Sequence, residues 1–381
     1  MKFTVEHLSK SFGEKRVLCD IDFTFEQGKI YGLLGRNGAG KTTLFNCLNG
    51  DIKYDAGGFC FETENGVRTP EPEDIGYVLS TPTVPDFMTG REFLKFFLEI
   101  NEDRITNPKT IDEYFDFMSI EPRDRNKLLK EQSRKSISAD SGITSNKKGF
   151  EYLNELFIKR HKKILWRSAK RITIGVLVII AAVLVLFVYV PEAKSAVNGA
   201  LMNFLPLSLF VMYILNRGTG FTQALFVNCD SSLLTYSFYK RPKFILRLFQ
   251  IRLREIVKIN LLPAAAIGGG LALLLYVSGG TDNPLNYGVL FVSVVALSIF
   301  FSVHYLTLYY LLQPYNAGTE IKSGTYKLAM WGTYMVCYIF LQMRFPTLIF
   351  GAATIMFCLA YCAAASLLVY RLAPKTFKIR A

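Results

Sequence analysis

Hydrophobic and polar positions change period more than once along this chain. Residues 2–8 alternate loosely, and 17–25 place Ile21, Phe23 and Phe25 on one face, so both stretches predict β-strands. Residues 11–15 separate them as a turn. The run 30–34, Ile-Tyr-Gly-Leu-Leu, predicts a strand buried on both faces. From Lys41 the spacing turns helical, with Leu44, Phe45 and Leu48 on one side and Asn49-Gly50 as a C-terminal cap. Asp55-Ala56-Gly57-Gly58 predicts a hairpin turn into strand 59–61, and 75–79 reads as a short buried strand. Helical spacing returns at 91–100 and 111–118. Residues 133–148 are rich in Ser, Lys and Asn and predict a flexible linker, with a phosphorylated regulatory segment as the other reading.

Beyond Arg171 the pattern becomes a series of long apolar runs. Residues 172–190 suffice to cross a bilayer as a helix. Runs at 201–215, 256–277, 287–312, 328–342 and 347–370 bring the expected count to six membrane helices, 201–215 and 328–342 being the shortest. Trp331, Tyr334 and Tyr338 suit an interfacial aromatic belt. Just before the first run, Lys159, Arg160, Lys162, Lys163, Arg167, Lys170 and Arg171 are interleaved with Tyr152, Leu153, Leu156, Phe157, Ile164, Leu165 and Trp166. That amphipathic pattern fits an anionic membrane surface. Residues 226–255 are too polar to span and read as cytosolic interfacial helix. Pro263 with Gly268-Gly269-Gly270 predicts a bent or close-packed third span. Asn260 and His304 are polar groups inside these runs; His304 reads as a packing residue or as a ligand.

Composition agrees with a membrane half. The chain has 381 residues, room for two or three domains, and is 51% hydrophobic with a mean hydropathy of +0.25. Its net charge of +13 admits either nucleic acid or a membrane surface. Position decides between them. Arg217, Lys240, Arg241, Lys243, Arg247, Arg252 and Arg254 lie between the second and third runs, Lys322 and Lys327 in the next alternate segment, and Arg371, Lys375, Lys378 and Arg380 in the tail. The segments between them hold Lys194 and Arg344 alone. This is the positive-inside distribution. It predicts a multi-pass protein of the cell membrane with both termini cytoplasmic, a lipid bilayer as partner and no nucleic acid. Residues 1–8 read as a strand rather than a cleavable leader. The seven cysteines show neither metal spacing nor a disulfide framework.

The candidate chemistry sits at 35–42, which fits G-x-x-x-x-G-K-[ST]. Gly35, Gly38 and Gly40 let the backbone turn its N–H groups around an anion. The helix starting near Lys41 aims its positive end at the same place. Lys41 can reach the outer phosphates, and the Thr42 hydroxyl is the expected Mg²⁺ ligand. ATP with Mg²⁺ is the expected cofactor.

Residues 2–130 resemble the first half of an ATP-binding cassette (ABC) domain. The likeness rests on the order strand, Ser-Phe-Gly turn, strand, then Gly-Leu-Leu-Gly-Arg-Asn-Gly-Ala-Gly-Lys-Thr-Thr, then helices. It implies a nucleotide site of Phe12, which would stack on adenine, with Gly35, Arg36, Asn37, Gly38, Ala39, Gly40, Lys41, Thr42 and Thr43. The departures are equally specific. Leu79-Ser80-Thr81-Pro82 stands where the family has a glutamine. Glu131-Gln132-Ser133-Arg134-Lys135-Ser136 stands where its signature falls, and no apolar strand ends in Asp-Glu. His7, His161 and His304 are the only histidines, and none is placed as the family's switch. No catalytic residue is therefore assigned.

The fold expected is an incomplete α/β P-loop NTPase cassette over 1–130, a linker over 131–150, and an all-α membrane domain of about six helices over 151–381. The resemblance to ABC exporter permeases in the last part implies that 226–255 transmits cassette motion. The expected function is an exporter component coupling ATP to substrate movement, acting as a homodimer or with a complete ABC ATPase subunit. The alternative is a non-catalytic ATP-binding sensor or a gene-fusion remnant.

Overall fold

The computed structural model describes residues 1–36, 38–63, 66–70, 74–76, 84–85, 87–102, 109–117, 144–236, 239, 241–315 and 323–377. Asn37, Ser80, residues 77–79 and 131–136, and most of the expected linker lie outside the described residues. By contacts the chain forms two compact units: Met1–Thr83 with Leu234–Arg241, and Val84–Leu233 with Pro242–Ala381.

In the first unit, β1 (Lys2–Phe12), β2 (Lys15–Glu26), β3 (Ala56–Thr63) and β4 (Gly66–Arg68) form one antiparallel sheet in the order β2-β1-β3-β4. Alternation puts Val5, Leu8 and Leu18 inward against Cys47, with Phe3, Ile21 and Phe25 packed around them. Cys47 belongs to α1 (Lys41–Leu48), which closes the core from one side. Asn49 ends α1 by donating its N–H to the Phe45 carbonyl, and Gly50 follows at φ 75°. Phe23, on the face of β2 expected to carry Ile21 and Phe25, is exposed.

Two expectations fail here. Residues 30–34 form no strand, and Ile30 and Leu34 are 100% and 95% exposed. A strand apolar on both faces is stable only when laddered and covered on both sides. Among the described residues no parallel neighbour exists to accept it. Residues 55–58 are also not a hairpin turn, since β3 begins at Ala56, opposite Ser9. Gly57 spends its φ of +81° on a bulge, where an added Cβ would sit 2.2 Å from the His7 carbonyl oxygen.

The same bulge holds His7 at φ 50° opposite Asp20 at φ 51°. The His7 backbone N–H donates to the Asp22 carboxylate at 2.8 Å, and its Nδ1 meets the Asp20 carboxylate at 2.8 Å. That hydrogen bond, with the charges of Asp22 and Asp20, raises the imidazole above its ordinary 6.5. A raised folded-state value means that the contribution is present below 6.5 and is lost as pH rises through the folded value. Histidine-selective NMR should show His7 titrating above 6.5, returning toward it in Asp20→Asn. An unshifted His7 in the native chain would disprove the contact.

In the second unit, α2 (Gly90–Ile100) and α3 (Ile111–Phe117) precede the 41-residue α4 (Gly149–Tyr189). α2 starts with a capping box: Thr89 Oγ1 accepts from Glu92 N at 3.2 Å, and Thr89 N donates to Glu92 Oε2 at 2.9 Å. Arg160 of α4 donates to both Glu92 oxygens at 2.9 Å and to the Phe87 carbonyl. Burial works to raise the Glu92 carboxyl, but the Arg160 and Thr89 hydrogen bonds outweigh it and hold it below the ordinary range. The basic amphipathic stretch and the first apolar run are thus one uninterrupted helix. Its N-terminal apolar face (Leu153, Leu156, Phe157) is buried in protein.

The rest of this unit is α5 (Ala193–Asn203), α6 (Leu207–Leu215), α7 (Gly218–Leu225), a π-helical turn (Phe226–Asp230), α8 (Ser231–Leu233), α9 (Pro242–Val277), α10 (Leu285–Leu312), α11 (Gly324–Leu341) and α12 (Thr347–Thr376). Among the described residues, four helical stretches are long and apolar enough to cross a membrane: Leu165–Tyr189, Pro242–Val277, Leu285–Leu312 and Thr347–Thr376. Of the six runs expected, four fall in helices that meet this criterion. The run 201–215 is broken between α5 and α6 because Pro206 supplies no N–H and disfavours helix at Leu205. The run 328–342 falls in α11 and its C-cap Gln342; the 18 residues of α11 are long enough, but Lys327, Thr325, Thr333 and three tyrosines leave it less apolar than the other four.

α9 runs through Pro263 without ending, and an added Cβ at Gly270 would lie 2.0 Å from Ile180 Cδ1, so the third run is close-packed. Asn260 is buried, donating to Ser302 Oγ at 3.0 Å and accepting from Arg217 N at 3.1 Å. The bundle has two polar ends. At one, Asn198 donates to the Gly280 carbonyl at 2.8 Å, Phe345 N to the Asn203 carbonyl at 3.0 Å, and Thr347 Oγ1 to the Leu201 carbonyl at 2.7 Å. At the other, Arg252 gathers Asp230, Tyr310 and Asn154, and Tyr310 stacks on Phe377 at 4.5 Å.

Candidate nucleotide site

The glycine loop enters α1 through two left-handed residues, Gly38 at φ 83° and Gly40 at φ 90°. A Cβ on Gly40 would stand 2.9 Å from the Val17 carbonyl oxygen, so this approach of loop to β2 requires glycine. Gly40 is the N-cap of α1 and offers no side-chain cap. The first-turn N–H groups of α1 are therefore left to an external acceptor. Ala39 N donates to the Arg36 carbonyl at 3.1 Å, closing the turn.

Lys41 Nζ donates to the carbonyls of Gly35 at 2.5 Å and Arg36 at 2.9 Å. The ammonium thus lies across its own loop, where an incoming phosphate would compete with two carbonyl oxygens. Lys41 and Thr42 line a cavity of about 770 Å³ together with Phe3, Phe25, Phe45 and Asp74. Thr42 is exposed, and Thr43 is half-buried. The expected site is thus only partly assembled. Phe12 lies at the end of β1, paired with Lys15, half exposed with Lys10 Nζ 5.4 Å from its ring centre. It does not line the cavity of Lys41 and Thr42.

Asp74 is the side chain that the motif did not predict. It joins the cavity beside Lys41 and Thr42, but its carboxylate is held by Arg68 at 2.6 and 2.7 Å. Its placement beside 75–79 was the only signal in the sequence. A carboxylate near a loop hydroxyl is the donor set that Mg²⁺ takes. Thr42 and Asp74 fit it in chemistry, with Arg68 as competitor for the carboxylate.

Comparison with known proteins gives the class first. Residues 18–142 match the family model described as ABC transporter. The match covers the first part of the chain, which is similar to the ATP-binding domains of ABC transporters. Its relatives include an uncharacterized ABC transporter ATP-binding protein, MJ1023, of Methanocaldococcus jannaschii, 40% identical over 99 residues, 26% of this chain and 34% of that one. The lipopolysaccharide export system ATP-binding protein LptB of Haemophilus influenzae is 35% identical over 104 residues, 26% of this chain and 43% of that one. The ribose import ATP-binding protein RbsA of Lacticaseibacillus paracasei is 38% identical over 82 residues, 20% of this chain and 16% of that one. The chain spans less than half the length of each of these relatives. No solved structure matches.

Proposed function

We propose that this chain is an ATP-binding component of a membrane transport system. In this reading residues 1–130 form the nucleotide-binding part, 131–150 a linker and 151–381 a permease domain. The observation that carries it is the glycine loop of α1, with Lys41 and Thr42 on one cavity, in the same chain as four apolar helices of membrane-crossing length. ATP would lie with its phosphates at Gly35 to Thr43, and Mg²⁺ on Thr42. Phe12 would stack on the base. By resemblance, the working unit is a homodimer or a pair with a complete ABC ATPase subunit. Import and export systems both occur among the relatives, so the exporter direction rests on the permease-like second half alone.

Six crossings remain the topology that best fits the charges. The second would be made by the run 201–215, broken at Pro206 and continued in α6, and the fifth by α11. Supporting it, the segments around 198–204, 278–280 and 343–347 meet at one end of the bundle and carry few Lys or Arg. Arg252, Asp230 and Tyr310 meet at the other, basic end. Both termini would then be cytoplasmic. Tags at each terminus should be protease-protected in intact cells and digested after permeabilisation; a C-terminal tag cleaved in intact cells would refute an even number of crossings. A photoreactive ATP analogue should label the wild type and not Lys41→Ala, and equal labelling would refute the nucleotide site.

A non-catalytic sensor is the second reading. It is favoured by the family's missing signature and Asp-Glu pair, and by the Arg68 guanidinium already holding Asp74.

A further inference from the structure

A second cavity, of about 680 Å³, lies in the helical bundle between α10, α11 and α12. Its volume falls within the ~300–1,000 Å³ typical of small-molecule sites. The walls are aliphatic and aromatic, and include the buried Leu297 and the partly buried Phe300. Val336, Ile349 and Phe357 also line it and are themselves exposed apolar side chains. Ile349 and Phe357 belong to one of the candidate membrane spans, Thr347–Thr376. An opening rimmed by such residues faces hydrocarbon, so its occupant comes from the bilayer rather than from water.

One polar trio interrupts the apolar wall. His304 Nδ1 meets Tyr361 Oη at 2.7 Å, and its Nε2 meets Thr333 Oγ1 at 2.9 Å. The Thr333 hydroxyl has one proton, and it goes to the Ala329 carbonyl at 2.8 Å. Thr333 therefore accepts from His304, which places the imidazole proton on Nε2. Nδ1 is then the acceptor, and Tyr361 donates to it. All three protons of the trio are used, and the capacity left over is oxygen lone pairs on Tyr361 and Thr333. Such a wall takes a hydrogen-bond donor. At the trio a carboxylate or phosphate would meet acceptors only, and a pure hydrocarbon would leave them unpaired. Thr354, also lining the cavity, adds a hydroxyl that can donate or accept.

We propose that this cavity binds a lipid alcohol: a long apolar body with one hydroxyl that donates to Tyr361. The proposal uses the membrane placement of these helices and is independent of nucleotide binding.

The test uses the full chain in lipid nanodiscs without nucleotide. The probe is a long-chain primary alcohol carrying a mid-chain diazirine and an alkyne, compared with its methyl ether and its carboxylate analogue. The alcohol should cross-link within residues 336–361, with the ether and carboxylate at least tenfold weaker. Gly332→Phe should reduce alcohol labelling at least tenfold. Gly332 lines the cavity, and a Cβ added there meets nothing within 4 Å, so the side chain enters open space. Ala353→Phe, at an exposed lining position, is the second filling variant and should act in the same direction. Monodisperse elution identifies the folded variants. Equal labelling by alcohol and ether, stronger labelling by the carboxylate, or labelling unchanged in a folded filling variant would each overturn the proposal.

Discussion

Purified in lipid nanodiscs, this chain alone is expected to release phosphate from ATP at no more than the background of Lys41→Ala. Phosphoryl transfer is catalysed by positioning and charge stabilisation more than by covalent chemistry. The loop supplies part of that. Gly38 and Gly40 shape the anion cradle, and Lys41 can move from the Gly35 and Arg36 carbonyls onto phosphate. Such contacts hold ground state and transition state alike, which does not raise turnover. The family's metal-binding aspartate, its water-orienting glutamate and its signature clamp have no counterpart in the sequence. Single groups of these kinds are worth roughly 10²–10⁴ in rate, so their joint loss removes several powers of ten. Asp74 is the described carboxylate that shares the cavity with Lys41 and Thr42, and Arg68 neutralises it. Steady-state phosphate release decides the matter. Robust Lys41-dependent turnover without a partner would sink the expectation; in that event Asp74→Asn would show whether Asp74 is the replacement ligand. Turnover appearing only when a complete cassette subunit is added would favour the heteromeric reading.

Arg252→Ala is expected to destabilise the helical unit by about 3–5 kcal/mol, the cost of leaving one member of a buried ion pair uncompensated. Arg252 and Asp230 side chains are 1% and 0% exposed, and the pair is bidentate at 2.5 and 2.8 Å. The neighbours add to the cost. Arg252 also donates to Tyr310 Oη at 2.8 Å and, through Nε, to Asn154 Oδ1 at 3.3 Å, while Tyr309 donates to Asp230 at 2.6 Å. One guanidinium therefore joins α4, α9, α10 and the π-helical turn. Removing both charges, in Arg252→Met with Asp230→Leu, should cost less than either single change, because no bare charge remains. Unfolding in mixed micelles of rising SDS content measures it. A loss under about 1 kcal/mol for Arg252→Ala would mean that the pair is solvated in the native protein.

Local pattern carried much of this protein. Alternation predicted β1 and β2, and the glycine-lysine-threonine spacing located both the loop and the start of α1. These features depend on residues close in sequence: a glycine at positive φ, a helix N-terminus, an apolar face of fixed period. Long apolar runs found the four membrane-length helices for the same reason, since one helix satisfies its own backbone.

What needed the tertiary structure is whatever depends on a distant neighbour. Residues 30–34 have the composition of an inner strand, yet a strand exists only where others ladder with it, and the described sheet offers no such place. Gly57 looked like a turn because its positive φ was legible, but whether that φ makes a turn or a bulge depends on His7 across the ladder. Asp230 and Arg252 read as polar residues of a cytosolic segment. The wide turn of the π-helix and the packing of α9 against α4 bring them together in the interior, and no local period encodes that meeting. His304 was ambiguous along the chain. Thr333 and Tyr361, from two later helices, decide its tautomer and leave a row of acceptors on an apolar cavity, because the proton inventory of a buried ring belongs to its partners.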